Sequence, residues 1–201
     1  MKIKLISLVL LAASCGLAAE PAKECCAPSL AQPVAAMSFS PSSIYQLDAR
    51  FTDDASRPFS LGSLRGRPVV IDLFFASCGY ACPLTVSDML AMQNRLSAAQ
   101  RSQTVFVLVS FDVVRDTPEA LAKYRIQRGL NSQWVLLHSD NESVRELAAL
   151  LGVKYQRMAD GSFAHSNVFT ILNPEGEIVH QRTGLQGGLD EATAALVRVT
   201  K

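Results

Sequence analysis

The sequence lacks an excess of charge of either sign, because 19 lysines and arginines stand against 18 aspartates and glutamates in 201 residues. Nothing in it points to a clustered basic face, which excludes a nucleic-acid-binding protein. It also lacks internal repeats, low-complexity blocks and, beyond its N-terminus, any stretch apolar enough to span a membrane. With 49% apolar residues, the chain suits one compact α/β domain of about 150 residues.

The N-terminus has the layout of a secretory signal. Lys2 and Lys4 precede the apolar stretch Leu5–Ala13, which is too short to cross a bilayer as a mature helix. Loss of both lysines would leave 17 basic residues against 18 acidic ones. We therefore predict an exported protein of nearly neutral charge, in the periplasm or on the outer face of the cytoplasmic membrane.

Two processing sites compete. Small residues at 17–19 allow ordinary cleavage of a signal peptide at 1–19, whereas residues 11–15 resemble a lipoprotein box. In the second case Cys15 would be lipidated and would tether the protein to a membrane. Residues 20–43 are rich in proline, alanine and serine and predict a flexible tether. The folded domain is predicted at 44–201.

Adjacent cysteines, Cys25 and Cys26, lie in the predicted tether. A vicinal disulfide is strained, so they are poor partners for each other.

The folded part alternates buried strands with amphipathic helices, which is typical of a mostly parallel sheet covered by helices. Asp116, with Glu119 three positions later, is predicted to cap one of these helices. In chain order, the predicted elements are a hairpin around Asp53 and Asp54, a strand at 69–75, a helix with Pro83 in its first turn running to about residue 100, a strand at 104–112, a helix to about 128, a strand at 134–137, a helix at 142–151, a hairpin of 167–172 with 177–181, and a helix at 190–199.

Cys78 and Cys82 follow the strand at 69–75 and are followed at once by Pro83. The pair could be a structural disulfide, a redox couple or a clamp for a soft metal. A thiolate at a helix N-terminus should have a lowered pKa. A structural bridge gains nothing from that position, and a bridge across so short a loop adds little stability. This leaves redox chemistry and metal binding.

For a metal, the spacing of the histidines decides. His138, His165 and His180 offer no second ligand pair at finger-like spacing, which disfavours a closed zinc site. Cu(I) accepts two thiolates with one imidazole. His165 lies in a loop that leads into a strand and could reach the end of the sheet, but it could equally be a hydrogen-bonded loop histidine, and the residues alone do not decide between the two. His138 suits a surface or helix-capping position, and His180 a solvated one.

Four stretches resemble the Sco/SenC proteins, thioredoxin-fold copper chaperones for cytochrome c oxidase. The stretches are FSLGSLRGRPVVIDLFF, CGYACP, VSFDVVRDTPEALAKY and FAHSNVFTILNPEGEIV, and together they cover about residues 45–185. Their order and separation make the resemblance fairly specific. It implies a thioredoxin-like α/β fold with a central, mostly parallel sheet, an N-terminal hairpin and a hairpin near the C-terminus.

The resemblance also implies a site. Cys78, Cys82 and His165 correspond to the copper ligands of the family, which would hold Cu(I) and also suit Cu(II). Asp112 corresponds to an acidic position near the site, where it could orient the histidine or hold its loop. The implied partner is the copper-receiving subunit of cytochrome c oxidase.

The chain departs from the family pattern at three positions. Gly79 and Val113 replace prolines that are frequent in the family, and Ala164 replaces a frequent acidic residue before the histidine. None of these changes removes a ligand.

The implied copper site leaves two roles open for Cys25 and Cys26. They are either an exposed accessory pair with no fixed role or a pair that passes copper or electrons to the core site.

Two functions stay open. The first is copper delivery without catalysis. The second is a thiol–disulfide oxidoreductase with Cys78 and Cys82 as its catalytic pair, which would keep the cysteines of the copper-receiving subunit reduced. Thioredoxin-like oxidoreductases usually place a cis-proline opposite their cysteines, and no proline occurs between Pro118 and Pro174.

A third class, the peroxiredoxin-like peroxidases, is disfavoured. Such an enzyme needs a threonine three positions before its reactive cysteine. The residues at the corresponding positions here are Phe75 and Gly79.

Overall fold

The apolar runs of the sequence form the centre of a sheet in the computed structural model, which describes residues 39–185 and 187–200. The strands are β1 (Phe51–Asp53), β2 (Pro58–Phe59), β3 (Val69–Phe74), β4 (Val105–Ser110), β5 (Trp134–Ser139), β6 (Tyr155–Arg157), β7 (Phe163–His165), β8 (Val168–Leu172) and β9 (Ile178–Thr183). The helices are α1 (Ala81–Arg95), α2 (Ala98–Gln103), α3 (Pro118–Arg128), α4 (Asn141–Leu150) and α5 (Leu189–Val199), with 3₁₀ turns at Ile44–Gln46 and Leu61–Leu64.

Seven strands form one sheet in the order β2-β1-β5-β4-β3-β8-β9. The central strands β3, β4 and β5 run parallel, and the strands outside them pair antiparallel. Every residue of β3 and β4 is buried, which explains why all of them except Asp72 and Ser110 are apolar and why half of them are β-branched. The structure confirms the predicted α/β architecture and both predicted hairpins.

The helical segment after the cysteines differs from its prediction. Its apolar spacing predicted one helix to about residue 100, but α1 ends at Arg95 and a separate helix α2 starts at Ala98. Ser97 begins α2 with a capping box, in which its side chain accepts from the backbone N–H of Gln100 and the Gln100 side chain accepts in return. This local capping ends α1 early. Pro83 lies in the first turn of α1, as predicted.

The hairpin of β6 and β7 was not predicted. Its strands are three residues long and largely exposed, so they carry no apolar run that would reveal them. They form a separate two-stranded sheet. His165, predicted in a loop that leads into a strand, is the last residue of β7. Its position is therefore set by a strand pairing, opposite Tyr155.

The chain just before the predicted domain boundary contacts the fold. Phe39 packs edge-on against Tyr45, and the Ser43 hydroxyl donates to the Glu175 carbonyl at 2.5 Å. Tyr45 also lies against Gly176, whose positive φ of 83° and lack of a side chain allow this close approach. Residues 39–43 are thus held at the β8–β9 turn.

The predicted signal peptide, most of the predicted tether, and Cys15, Cys25 and Cys26 lie outside the described residues. Among the residues that the structure covers, no helix has the length and apolar character needed to cross a bilayer.

Candidate metal centre

Two loops meet at the carboxyl end of the parallel strands. The parallel register pairs Phe74 at the end of β3 with Ser110 at the end of β4. The loops that follow are therefore neighbours, and the backbone N–H of Phe111 donates to the Phe74 carbonyl at 3.0 Å. The β3 loop leads to the cysteines, and the β4 loop carries Asp112.

The cysteines lie at the start of α1. Tyr80, the N-cap residue, makes no capping hydrogen bond with its side chain. The Cys78 sulfur takes that role, because it accepts the backbone N–H of Cys82 at 3.3 Å. Both thiols are free: Cys78 is half-buried and Cys82 is buried, with 1% of its surface exposed. The pair is thus a preformed dithiol at the helix end.

His165 reaches the thiols because of the way β8 pairs with β3. The antiparallel register places Phe169 opposite Asp72, so the amino end of β8 lies beside the carboxyl end of β3. The His165 Nε2 atom lies 3.9 Å from the Cys82 sulfur. Its Nδ1 lies 3.1 Å from the Ser166 carbonyl, a contact that fixes the proton on Nδ1 and leaves the Nε2 lone pair toward the sulfurs.

Aromatic side chains hold the imidazole in place. The ring centroid of Phe75 lies 6.0 Å from that of His165 in an edge-on arrangement, and that of Phe111 lies 5.2 Å away. Phe163 packs against both phenylalanines. This apolar packing restricts the orientations open to the His165 ring and shields one side of the site from water.

The three residues that the resemblance implied as ligands converge. The Cys78 and Cys82 sulfurs and a His165 nitrogen all lie within 4.8 Å of one another. With metal–ligand bonds of about 2.0–2.3 Å, donors around one ion are roughly 3.5–4 Å apart. Two soft sulfurs with one imidazole suit Cu(I), and small side-chain movements would complete the geometry.

The helix-end argument for a lowered thiol pKa is wrong for Cys82. Burial raises the pKa of this thiol, and nearby Cys78 and Asp72 raise it further, against a backbone hydrogen bond from Phe75. The N-terminal helix charge does not outweigh removal from water. Without a metal, Cys82 is a protonated thiol at neutral pH.

Asp72 is a buried carboxyl in the middle of β3. Burial raises its pKa to about 8, although the charge of Arg182 opposes this. When ionised, Asp72 raises the pKa of the Cys82 thiol through its negative charge. The sequence signal for it was present, since Asp72 interrupts an otherwise apolar buried strand, but the sequence prediction assigned it no role.

Asp116 does not cap α3 as predicted. The Thr117 side chain caps this helix by accepting from the backbone N–H of Ala120. The Asp116 carboxylate instead turns inward and accepts from the backbone N–H of Ala76 at 2.7 Å and from the Ser110 hydroxyl at 2.6 Å. It thereby ties the segment before Cys78 to the end of β4. Threonine also caps helices well, so Thr117 can take the cap while Asp116 makes these inward contacts.

Asp112 is connected to the metal centre indirectly, through Arg115. Its buried carboxylate accepts from the backbone N–H and the Nε of Arg115. The other end of the Arg115 guanidinium donates to the Gly161 carbonyl at 2.6 Å, in the turn of the β6–β7 hairpin. The guanidinium also lies over the Phe163 ring, 6.0 Å from its centroid. Asp112 and Arg115 thus bind the hairpin that carries His165.

The other two histidines lie outside the cluster. His138 is half-buried on β5, and its Nδ1 lies 3.0 Å from the Asp116 carbonyl, whereas Asp140 caps α4. His180 is half-buried on β9, paired with Ile171.

Known proteins resemble this chain in sequence. A family model described as SCO1/SenC matches residues 41–201. A protein of Stutzerimonas stutzeri whose name describes it as copper-binding is 29% identical over 130 residues, which is 63% of this chain and 63% of that protein, less than two thirds of its length.

Solved structures share the fold. A SCO1/SenC family lipoprotein of Bacillus anthracis str. Ames has a TM-score of 0.67 and 22% identity, over 76% of this chain and 92% of that one. Copper-bound ScoI of Bradyrhizobium japonicum has a TM-score of 0.61 and 20% identity, over 75% of this chain and 96% of that one. At these identities the likeness establishes the fold alone.

Proposed function

Because this chain belongs to the SCO1/SenC family, we propose that it is a copper metallochaperone that delivers copper to the copper centre of a respiratory cytochrome c oxidase. The observation that carries the proposal is the convergence of Cys78, Cys82 and His165 at one end of the sheet. Copper is the cargo of this site, bound as Cu(I) by the two sulfurs and the imidazole. The same donors also suit Cu(II).

Transfer takes place by ligand exchange between two proteins. Cys78 and His165 are half-buried, whereas Cys82 is closed off from solvent. Incoming ligands therefore reach the metal on the side of His165 and Cys78, and Cys82 leaves last. The recipient is the copper-receiving subunit of the oxidase.

Delivery to a respiratory oxidase requires an exported chaperone. The signal-like residues 1–19 support export to the periplasm or to the outer face of the cytoplasmic membrane. Lipidation at Cys15 would hold the protein beside its membrane-bound recipient.

A chelator competition titration with His165→Ala tests the copper site. We expect the wild-type reduced protein to bind one Cu(I), and the variant to bind it about 10–100-fold more weakly, because a loss at a metal ligand costs at least as much as the loss of an outer contact. The thiols of the variant should still oxidise to a disulfide. His180→Ala is the matched control, since this half-buried histidine lies outside the cluster.

A second candidate, a thiol–disulfide oxidoreductase, is favoured by one observation: the two thiols are free and adjacent at a helix N-terminus. In that case His165→Ala would leave disulfide exchange nearly unchanged, and Cys78→Ser or Cys82→Ser would abolish it. Unchanged Cu(I) affinity in His165→Ala would contradict the proposed ligand set.

Arg115→Gln tests whether the β6–β7 hairpin must be held. The change removes the guanidinium that donates to Gly161 and forms the ion pair with Asp112, so we expect about tenfold weaker Cu(I) binding. In the Cu(II)-loaded protein, the nitrogen hyperfine coupling from His165 should weaken in electron paramagnetic resonance, while the thiolate-to-copper absorption band persists. If Arg115 only stabilised the fold, the hyperfine coupling and the absorption band would weaken together.

Arg57→Gln is the matched control for Arg115→Gln. Arg57 pairs with Asp53 in the β1–β2 hairpin, which contributes no residue to the metal centre, so its loss should change neither signal. Wild-type affinity and hyperfine coupling in Arg115→Gln would show that the hairpin holds His165 without this contact.

A further inference from the structure

A pocket of about 390 Å³ opens beside the metal centre. Its wall combines the loop after β4, the first turn of α4 and the β6–β7 hairpin. Two of its aromatic residues, Tyr155 and Phe111, also belong to the surroundings of His165: Tyr155 is its strand partner and Phe111 contacts its ring. The residues of the wall that matter here are Asp112, Asn141, Arg145, Tyr155 and Arg157.

The charge of the wall is positive. Arg145 and Arg157 are exposed, and neither lies within ion-pair distance of a carboxylate among the described residues. Asp112 does not neutralise them, because its carboxylate already pairs with Arg115. The acidic residues of the first turns of α4, Glu142 and Glu146, line a different recess.

A buried hydroxyl in the same wall has no acceptor for its proton. The Tyr155 Oη atom is closed off from solvent, and no acceptor lies within hydrogen-bond distance of it in the described part of the chain. Its ring is fixed by stacking on Phe111, with centroids 5.0 Å apart and planes 16° apart. Burial raises the Tyr155 pKa, and the Arg145 guanidinium beside the hydroxyl opposes this through its charge and its hydrogen-bonding contact. A guanidinium can only donate, so it offers the hydroxyl proton no acceptor. An unpaired buried hydroxyl is destabilising, so the site calls for an acceptor.

We propose that this pocket binds a carboxylate side chain of a polypeptide that docks beside the metal centre. A carboxylate has two oxygens that can accept from both guanidinium groups. Arg145 is exposed and lies beside Tyr155, so a turn of its side chain toward the carboxylate would open the Tyr155 hydroxyl to the same oxygens. Exposed apolar side chains flank the arginines: Val114 is 66% exposed and Met158 46%. This mixture of charge and apolar surface fits an acidic residue on a protein surface better than a free inorganic anion.

The test uses the reduced, metal-free full chain and two-dimensional NMR of the arginine Nε–H groups and the backbone amides at 155–157. The probe is N-acetylglutamate methylamide, and N-acetylglutamine methylamide is its neutral match. We expect saturable shifts with the glutamate probe, with a dissociation constant on the order of millimolar, and no saturation with the glutamine probe. Inorganic phosphate is titrated in parallel.

Variants locate the binding. Arg145→Gln and Arg157→Gln should each weaken it about fivefold or more, and Tyr155→Phe, which keeps the ring, about threefold or more. Arg198→Gln, an exposed arginine at the far end of α5, and Tyr45→Phe, another buried unpaired hydroxyl, should leave it unchanged.

Three results would overturn the proposal. One is equal shifts with the two probes, another is undiminished binding in the doubly substituted Arg145→Gln/Arg157→Gln protein, and the third is saturation by phosphate but not by the glutamate probe, which would make this a free-anion site. Because no copper is present, failure here leaves the proposed metal ligands standing, and failure of those ligands leaves this pocket standing.

Discussion

Serine in place of Cys82 will lower the affinity for Cu(I) by at least about 100-fold. Substitutions that only touch a metal ligand typically cost 10–100-fold, and this one replaces a soft sulfur by a hard hydroxyl. Among the residues that the structure describes, no neighbour can substitute for it, because the buried Cys82 side chain groups only with Cys78 and His165 as possible metal ligands. Cys78→Ser should have an effect of the same order.

The measurement is an anaerobic competition titration against a Cu(I) chelator. Cys15, Cys25 and Cys26 are replaced by serine in every protein compared, so that only the core thiols compete for copper. Thr85→Ser, a buried position on the same helix, is the control for effects of packing. An affinity within tenfold of wild type in the Cys82 variant would contradict the proposed site.

The pH dependence of the same titration tests the state of Cys82. Because burial raises its pKa, Cu(I) must displace a proton from this thiol. Each displaced proton makes the apparent affinity rise about tenfold per pH unit. Cys82→Ser should therefore reduce the slope of log affinity against pH by about one. An unchanged slope would show that Cys82 loses no proton on binding.

The second large effect concerns stability. We expect the free energy of unfolding of the wild-type protein to fall, relative to that of Asp72→Asn, as the pH rises from about 4 to about 8. The Asp72 pKa is near 3.8 in the unfolded chain and is raised to about 8 in the fold, chiefly by burial. In this window the native state holds a proton that the unfolded state releases, so each increase in pH favours unfolding.

The size of the effect follows from the shift. One pKa unit corresponds to about 1.4 kcal/mol, so the difference between the two proteins could change by up to about 5 kcal/mol across the window. The charge of Arg182 opposes the rise in the Asp72 pKa. The Arg182 guanidinium, however, already donates to Asp88 and to two backbone carbonyls.

Urea unfolding at pH 5, 6, 7 and 8 measures this difference. Asp190→Asn is the control, because this carboxylate is almost fully exposed and its loss should give a nearly constant difference. A difference between wild type and Asp72→Asn that stays flat or changes in the opposite direction would show that Asp72 is ionised in the native state.

Local sequence patterns predicted most of the strands and helices. They failed where contacts between distant segments decided the structure. The strands β3 and β4 are buried on both faces, so their apolar runs identify them. The β6–β7 hairpin is short and exposed, and its contacts with Phe111 and Arg115 come from a distant part of the chain. Asp116 satisfies the rule for a helix cap, but Thr117 does so as well, and this frees Asp116 to bind Ala76.

The site divides in the same way. The position of Cys78 and Cys82 between a buried strand and a proline-started helix predicts two sulfurs at the end of the sheet. The residues alone left His165 undecided, and its assignment came from the resemblance to the Sco/SenC family. What brings it there is the antiparallel pairing of β8 with β3, a contact between segments almost 100 residues apart.

The sequence by itself determined the order of strands and helices, the dithiol at the carboxyl end of the parallel strands, and the family. These depend on local periodicity and on short motifs. Only the tertiary structure decided that His165 faces the sulfurs, that Asp112 acts through Arg115, and that burial outweighs the helix charge at Cys82. Each of these depends on which segments, distant in the sequence, pack together in the fold. No local stretch of sequence specifies that packing.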